Sequence, residues 1–241
     1  QRSMSHTSEQ LVQRFLDILV TGDRPGARAL VQQAIRQGLT PDALMSQVFW
    51  PTYKTLEDLD RNDHITKLSH HTATRLLRTL VDQIGAHLNF QPRNGKRVMA
   101  FCGRTECDEL GAQIASDLME AAGFDVTFCG GGVALDEITT TIQERQPDVV
   151  VLFASSKEDL PGIRALIDTI RDNTACDRIQ LAVGAGVFAR NPGLGEEMGF
   201  DLWGDDPIEL ITCIIEEPER RADPSQRLIG RARPKKSTQA A

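Results

Sequence analysis

"RVMAFCGRTECDELGAQIASDLMEAAGFDVTFCGGG", Arg97 to Gly132, decides the fold. "RVMAFCG" is a short apolar run with no charge after its first residue, as in a strand buried on both faces. Residues 109–122 space their apolar side chains for a helix, and Gly123 stops it. "DVTFCGGG" is a second strand, closing on Gly130, Gly131 and Gly132. A strand, a helix and a strand in this order make a βαβ unit with parallel strands.

Downstream the alternation continues. Residues 135–145 read as a helix, "PDVVVLFASS" as a strand, 160–173 as a helix and "IQLAVGAGVF" as a strand. "GLGEEMG" is a short helix, "DLWG" a short strand and 206–216 a last helix. Five strands alternating with helices predict a doubly wound parallel sheet over residues 96–217. Ligands of such sheets sit beyond the carboxyl ends of the strands. That edge carries Gly103–Asp108, Gly130–Gly132, Phe153–Ser156 and Gly184–Gly186.

Upstream, residues 8–90 are patterned for helices. "SEQLVQRFLDILVTG" places Leu11, Val12, Phe15, Leu16 and Leu19 on one face, with an imperfect capping box at Ser8. "DRPGARALVQQAIRQGL" is a second helix. A third starts on Thr40-Pro41, with a kink or break expected at Pro51, and a fourth is "HITKLSHHTATRLLRTLVDQIGAHL". Four helices with short connections predict a bundle. "NFQPRNGK" is the linker to the sheet domain.

Net charge is −7, so general nucleic-acid binding and direct DNA contact are not expected. Residues 218–241 differ: from Arg220 onward there are seven Lys/Arg against one acid, which predicts a disordered basic tail dispensable for folding. No apolar run approaches a membrane span and the N-terminus has no signal core, so a cytoplasmic location without membrane contact is expected. Five cysteines without a C-x-x-C pair read as reduced thiols rather than a disulfide framework or zinc site.

A four-helix bundle followed by a flavodoxin-like domain resembles the cobalamin-binding modules. Glu106-Cys107-Asp108-Glu109-Leu110-Gly111 stands where that family has Asp-x-His-x-x-Gly. Gly130-Gly131-Gly132 matches its glycine-rich second strand. Gly184-Ala185-Gly186 followed by Asn191-Pro192 matches its later turn, and "GFDLWGDDPIEL" its closing Gly-x-Asp segment. The helical part is most similar to light-sensing cobalamin repressors; of their Trp and Glu-His positions, here Asp60, His70 and His71, only His71 keeps the family residue.

The resemblance implies a tetrapyrrole between the bundle and the sheet edge. In the family the loop His ligates cobalt from below. Asp108 is shorter and harder, a poor substitute for imidazole, so cobalamin held through a His lower ligand is not expected. With no imidazole to orient, Glu106 and Asp108 are expected to face each other, and the flanking acids to raise the Cys107 thiol. Phe153 stands where the family has a small Ser, with Ser155 two residues on, and is expected to obstruct the slot for the nucleotide tail. Gly130, Gly131, Gly184, Ala185 and Gly186 are expected at the ring; their alternative reading is turn chemistry after strands. His71 is the candidate polar or metal-ligating contact from the bundle. The charge run "LEDLDRND" reads as a solvated helix face.

The function expected is a sensory or regulatory module that binds cobalamin, or alternatively haem or biliverdin. It would act through a protein partner such as a transcription factor or signalling protein, as haem-binding antirepressors of similar fold do. No nucleophile–base pair or paired-carboxylate site has catalytic spacing, so an enzyme is not expected. A ligand-free scaffold, with homo-oligomerisation, is the alternative. A corrinoid carrier for methyl transfer is disfavoured by Asp108.

Overall fold

The computed structural model describes residues 2–223. Its N-terminal unit contains α1 (Arg2–Thr21), α2 (Arg24–Arg36), α3 (Pro41–Leu44), α4 (Trp50–Arg61) and α5 (Lys67–Gly85). A π turn, Met45–Phe49, carries α3 into α4, so the four predicted helices are present. This turn is what becomes of the expected break at Pro51. Proline has no N–H and its ring crowds the carbonyl four residues back. The wider turn, in which the Trp50 N–H donates to the Met45 carbonyl, lets the helix run on through it. Ser8 is no cap: α1 begins earlier, and the Ser8 hydroxyl donates to the Gln47 carbonyl at 3.1 Å. Thr40 and Thr66 do cap α3 and α5, accepting from the Ala43 and Ser69 N–H groups.

Strands β1 (Arg97–Cys102), β2 (Asp125–Gly131), β3 (Val149–Phe153), β4 (Gln180–Gly184) and β5 (Leu202–Gly204) form one parallel sheet in the order β2-β1-β3-β4-β5. This is the flavodoxin-like order, with its switch point between β1 and β3. The connecting helices are α6 (Glu106–Ala121), α7 (Leu135–Arg145), α8 (Leu160–Arg171), α9 (Gly186–Arg190), α10 (Leu194–Met198) and α11 (Pro207–Glu216).

Alternation along the strands makes two cores. Val98, Ala100, Val149, Val151 and Phe153 pack with α6 and α11, and this core is continuous with Phe15, Phe49 and Leu77 of the bundle. Met99, Phe101, Val150 and Leu152 pack with Leu166 and Ile167 of α8 on the other face.

The expected tail boundary needs correction. Residues 218–223 pack on the body. The Gln180 amide donates to the carbonyls of Glu217 and Arg220 at 3.0 and 3.1 Å, Arg220 lies 4.1 Å over the Trp203 ring, and the Ala222 N–H donates to Asp201 at 2.8 Å. The remainder of the predicted tail lies outside the described residues.

Candidate functional site at the carboxyl edge of the sheet

The Asp108 carboxylate is the hub of this edge. It sits in the first turn of α6 rather than in a loop and is 2% exposed. Thr105 caps the helix and accepts from the Asp108 N–H at 3.0 Å. In return Asp108 Oδ2 accepts from the Thr105 hydroxyl at 2.6 Å and its N–H at 3.2 Å, completing a capping box. Asp108 Oδ1 accepts from the Ser155 N–H at 2.8 Å, just past the end of β3. One buried carboxylate thus joins the starts of two loops. The helix N-terminus and three donors stabilise its charge. Gly103 makes the room: a Cβ there would lie 2.4 Å from Asp108 Oδ2.

Glu106 does not face Asp108, as the sequence suggested. It turns to α5, where Arg75 Nε lies 3.2 Å and His71 Nδ1 3.5 Å from its carboxylate oxygens. Positions two apart in a helix point to nearly opposite sides. The inward orientation expected of His71 is also corrected: its side chain is 60% exposed, whereas that of His70 is 13% exposed and approaches Asp60. The face shared by Leu68, His71 and Arg75 is the outer one. Among the described residues no group of three or more His, Cys, Asp or Glu could hold a metal ion.

Cys107 is buried, and its thiol is raised well above the ordinary value by burial first, by Glu57 next and then by Asp108, the one of its two flanking acids that contributes. Glu57, with buried Tyr53 one turn earlier on α4, lies at the bundle–sheet junction; burial raises both. Gly111 admits the Tyr53 ring, since a Cβ there would lie 2.5 Å from its hydroxyl. Sequence reading missed this pair by taking the charge run as uniformly solvated. The Tyr53-x-x-x-Glu57 spacing, one helical turn, was the available signal.

Several glycines serve the chain itself. A Cβ on Gly131 would lie 2.0 Å from the Gly103 carbonyl, and one on Gly186 2.0 Å from that of Ala154. Both therefore permit backbone to cross backbone, and their lack of a side chain serves the fold. Gly184 faces Phe153 and Leu210, each 3.0 Å from its Cβ position, so the Phe153 ring fills the space between sheet and α11. Gly130 has φ 75° with nothing within 4 Å of its Cβ position and lies in β2, where it pairs with Phe101 just past a bulge. Ala185 holds φ 54°, a left-handed conformation that costs a non-glycine residue about 1–3 kcal/mol.

Between α4 and the ends of β3 and β4 lies a groove of about 550 Å³. Glu57, Asp60 and Arg61 line one side, and Ser155, Arg190 and Asn191 the other. Arg190 donates to the Ser155 carbonyl, so the same loop is gripped by Asp108 and Arg190. Asp201 of the Gly-x-Asp segment is elsewhere: fully buried, it pairs with Arg171 at 2.5 Å and accepts from the Leu181 N–H near the amino ends of the strands. Among the described residues no helix is long and apolar enough to cross a membrane.

Comparison with known proteins agrees with this architecture. The family described as B12 binding domain matches residues 96–212. Dimethylamine corrinoid protein 3 of Methanosarcina mazei is 23% identical over 104 residues, 43% of this chain and 61% of that protein. Monomethylamine corrinoid protein 2 of the same organism is 18% identical over 215 residues, 87% of this chain and 98% of its own length. The solved monomethylamine corrinoid protein of Methanosarcina barkeri superposes with a TM-score of 0.76 at 14% identity, covering 86% of this chain and 98% of that one. That likeness shows the fold. None of these relatives supports the expected nearness to light-sensing repressors.

Proposed function

We propose, from the match of residues 96–212 to the B12 binding domain family, that this chain binds a corrinoid in the groove between bundle and sheet edge and presents the bound state to a protein partner. The polar lining of that groove carries the proposal. Glu57 and Asp60 can accept amide N–H groups, while Arg61, Arg190 and Asn191 can donate to amide carbonyls. A corrin ring is rimmed with amides. Haem and biliverdin are rimmed with carboxylates, and haem takes an axial His, Cys, Met or Tyr. Here His71 is turned out beside Glu106 and the Cys107 thiol is buried and strongly raised, so haem and biliverdin have less support.

The lower axial position does not fit a protein ligand. Both Asp108 oxygens already accept hydrogen bonds, and withdrawing them would uncap α6 and free the end of β3. A bound corrinoid supplies a cobalt centre able to exchange an upper ligand. The chain's own residues supply polar walls and a rigid floor. These residues hold and present the group to a partner. The relatives named as methylamine corrinoid proteins favour a second reading, a carrier of methyl groups.

Titration with hydroxocobalamin, followed by visible absorption, tests the first reading. Saturable binding weakened about tenfold or more by Glu57→Gln or Arg190→Ala is expected, the loss of one charge-assisted hydrogen bond. Absence of binding, or affinity unchanged in both variants, would overturn it. Methyl transfer from bound methylcobalamin to a thiol acceptor, in the presence of a corrinoid methyltransferase, would select the carrier reading.

A further inference from the structure

The sheet face turned away from the bundle carries a separate cavity of about 440 Å³. It lies at the adjoining carboxyl ends of β1 and β3, between the β2–α7 loop and α8. Its floor is Phe101, Leu152 and Leu166, all of the core away from the bundle. Phe153, at the slot expected for a cofactor tail, borders this cavity but belongs to the other core. Volume and apolar floor suit a small-molecule site, for which about 300–1,000 Å³ is usual.

Two observations show a space kept open. Gly162 stands in the first turn of α8 without a left-handed backbone, and a Cβ there would meet nothing within 4 Å. Glycine within a helix costs about 0.5–1 kcal/mol relative to alanine, and neither a turn nor close packing requires one here. Its effect is to leave the cavity mouth unfilled. The polar groups, moreover, gather at one side: Arg104, Glu158 and Asp159. Asp159 is half-buried, and burial, Asp108 and Glu158 raise its carboxyl against the opposing pull of Arg104. A half-buried acid at the edge of an apolar floor suits a flat ligand with a donor edge.

We propose that this cavity binds a planar nitrogen heterocycle of about purine size, its ring on Phe101, Leu152 and Leu166 and its N–H or amino donor on Asp159.

The test is titration of the full chain with 2-aminobenzimidazole, and with benzothiazole as a probe of the same shape lacking the donors, read by amide chemical shifts. Saturable binding of 2-aminobenzimidazole is expected, with shifts at Leu152, Ala154 and Ile163. Gly162→Leu should weaken it about tenfold or more by filling the mouth. Asp159→Asn should erase most of the preference for 2-aminobenzimidazole over benzothiazole, and both variants should keep the wild-type response to hydroxocobalamin. Lack of saturation, unchanged affinity in a natively folded Gly162→Leu, or shifts confined to the groove around Glu57 and Arg190 would overturn the proposal. If Gly162→Leu does not fold, the wild-type shift map and Asp159→Asn decide.

Discussion

Asp108 shows how one side chain can exchange one role for another. A histidine at this point could reach a metal, whereas the carboxylate is short enough to fold back on its own helix N-terminus and long enough to reach Ser155. Its worth is measurable. In Asp108→Asn one amide atom cannot accept, so a part-buried donor among the Thr105 and Ser155 groups loses its protein partner. A destabilisation of about 1–2 kcal/mol is expected, read as a lower urea midpoint at unchanged slope. A midpoint equal to wild type would show that the latch contributes nothing.

The end of β2 is shaped by the element beside it. Ala100 pairs with Phe128 but Phe101 with Gly130, so the strand bulges at Cys129. The bulge and the positive φ of Gly130 bring Gly131 across Gly103. Gly131→Ala should therefore cost about 3 kcal/mol, because two strand ends must part to admit the methyl group. Thermal melting checks this, and an unchanged melting temperature would mean that the crossing relaxes freely. The π turn before Pro51 follows the same logic, since local chemistry forbids the regular element and tertiary packing of Phe49 and Trp50 keeps the chain helical around it.

Over the whole molecule, bundle and sheet share one core while the far face has its own. The C-terminal segment closes the amino end of the sheet. A chain ending at Glu217 loses the Arg220–Trp203 contact and the Ala222 bond to buried Asp201. It should be about 2 kcal/mol less stable, lowering the melting temperature by about 4–8 °C; equal melting would show that these contacts are not stabilising. Stability should also depend on pH through Asp117, at the α5–α6 seam beside Asp82 and Glu120. Burial first, then those two acids, raises its carboxyl from 3.8 to about 7. Between those values the folded chain holds a proton that the unfolded chain has released, so this contribution is full below about pH 4 and is lost as pH rises through 7. Asp117→Asn should raise the melting temperature at about pH 8 and flatten its fall from about pH 5. A parallel fall in the variant would assign the dependence to other groups.

Composition and periodicity were enough to specify the βαβ alternation, the bundle and which loops share the carboxyl edge of the sheet, because apolar spacing and glycine stops are local. They also placed Asp108, Phe153 and Ser155 together, by their positions at strand ends. They could not tell that Asp108 starts a helix, that His71 faces outward while His70 faces in, or that Glu57 turns from its charged run into the groove at the bundle–sheet junction. Each of those depends on which neighbour occupies the space across the junction. Only the packing of α4, α5 and α6 against one another determines that. The same holds for Gly131 and Gly162: in sequence both are glycines near a strand or helix end, and only the tertiary structure puts a carbonyl against one and a cavity beside the other.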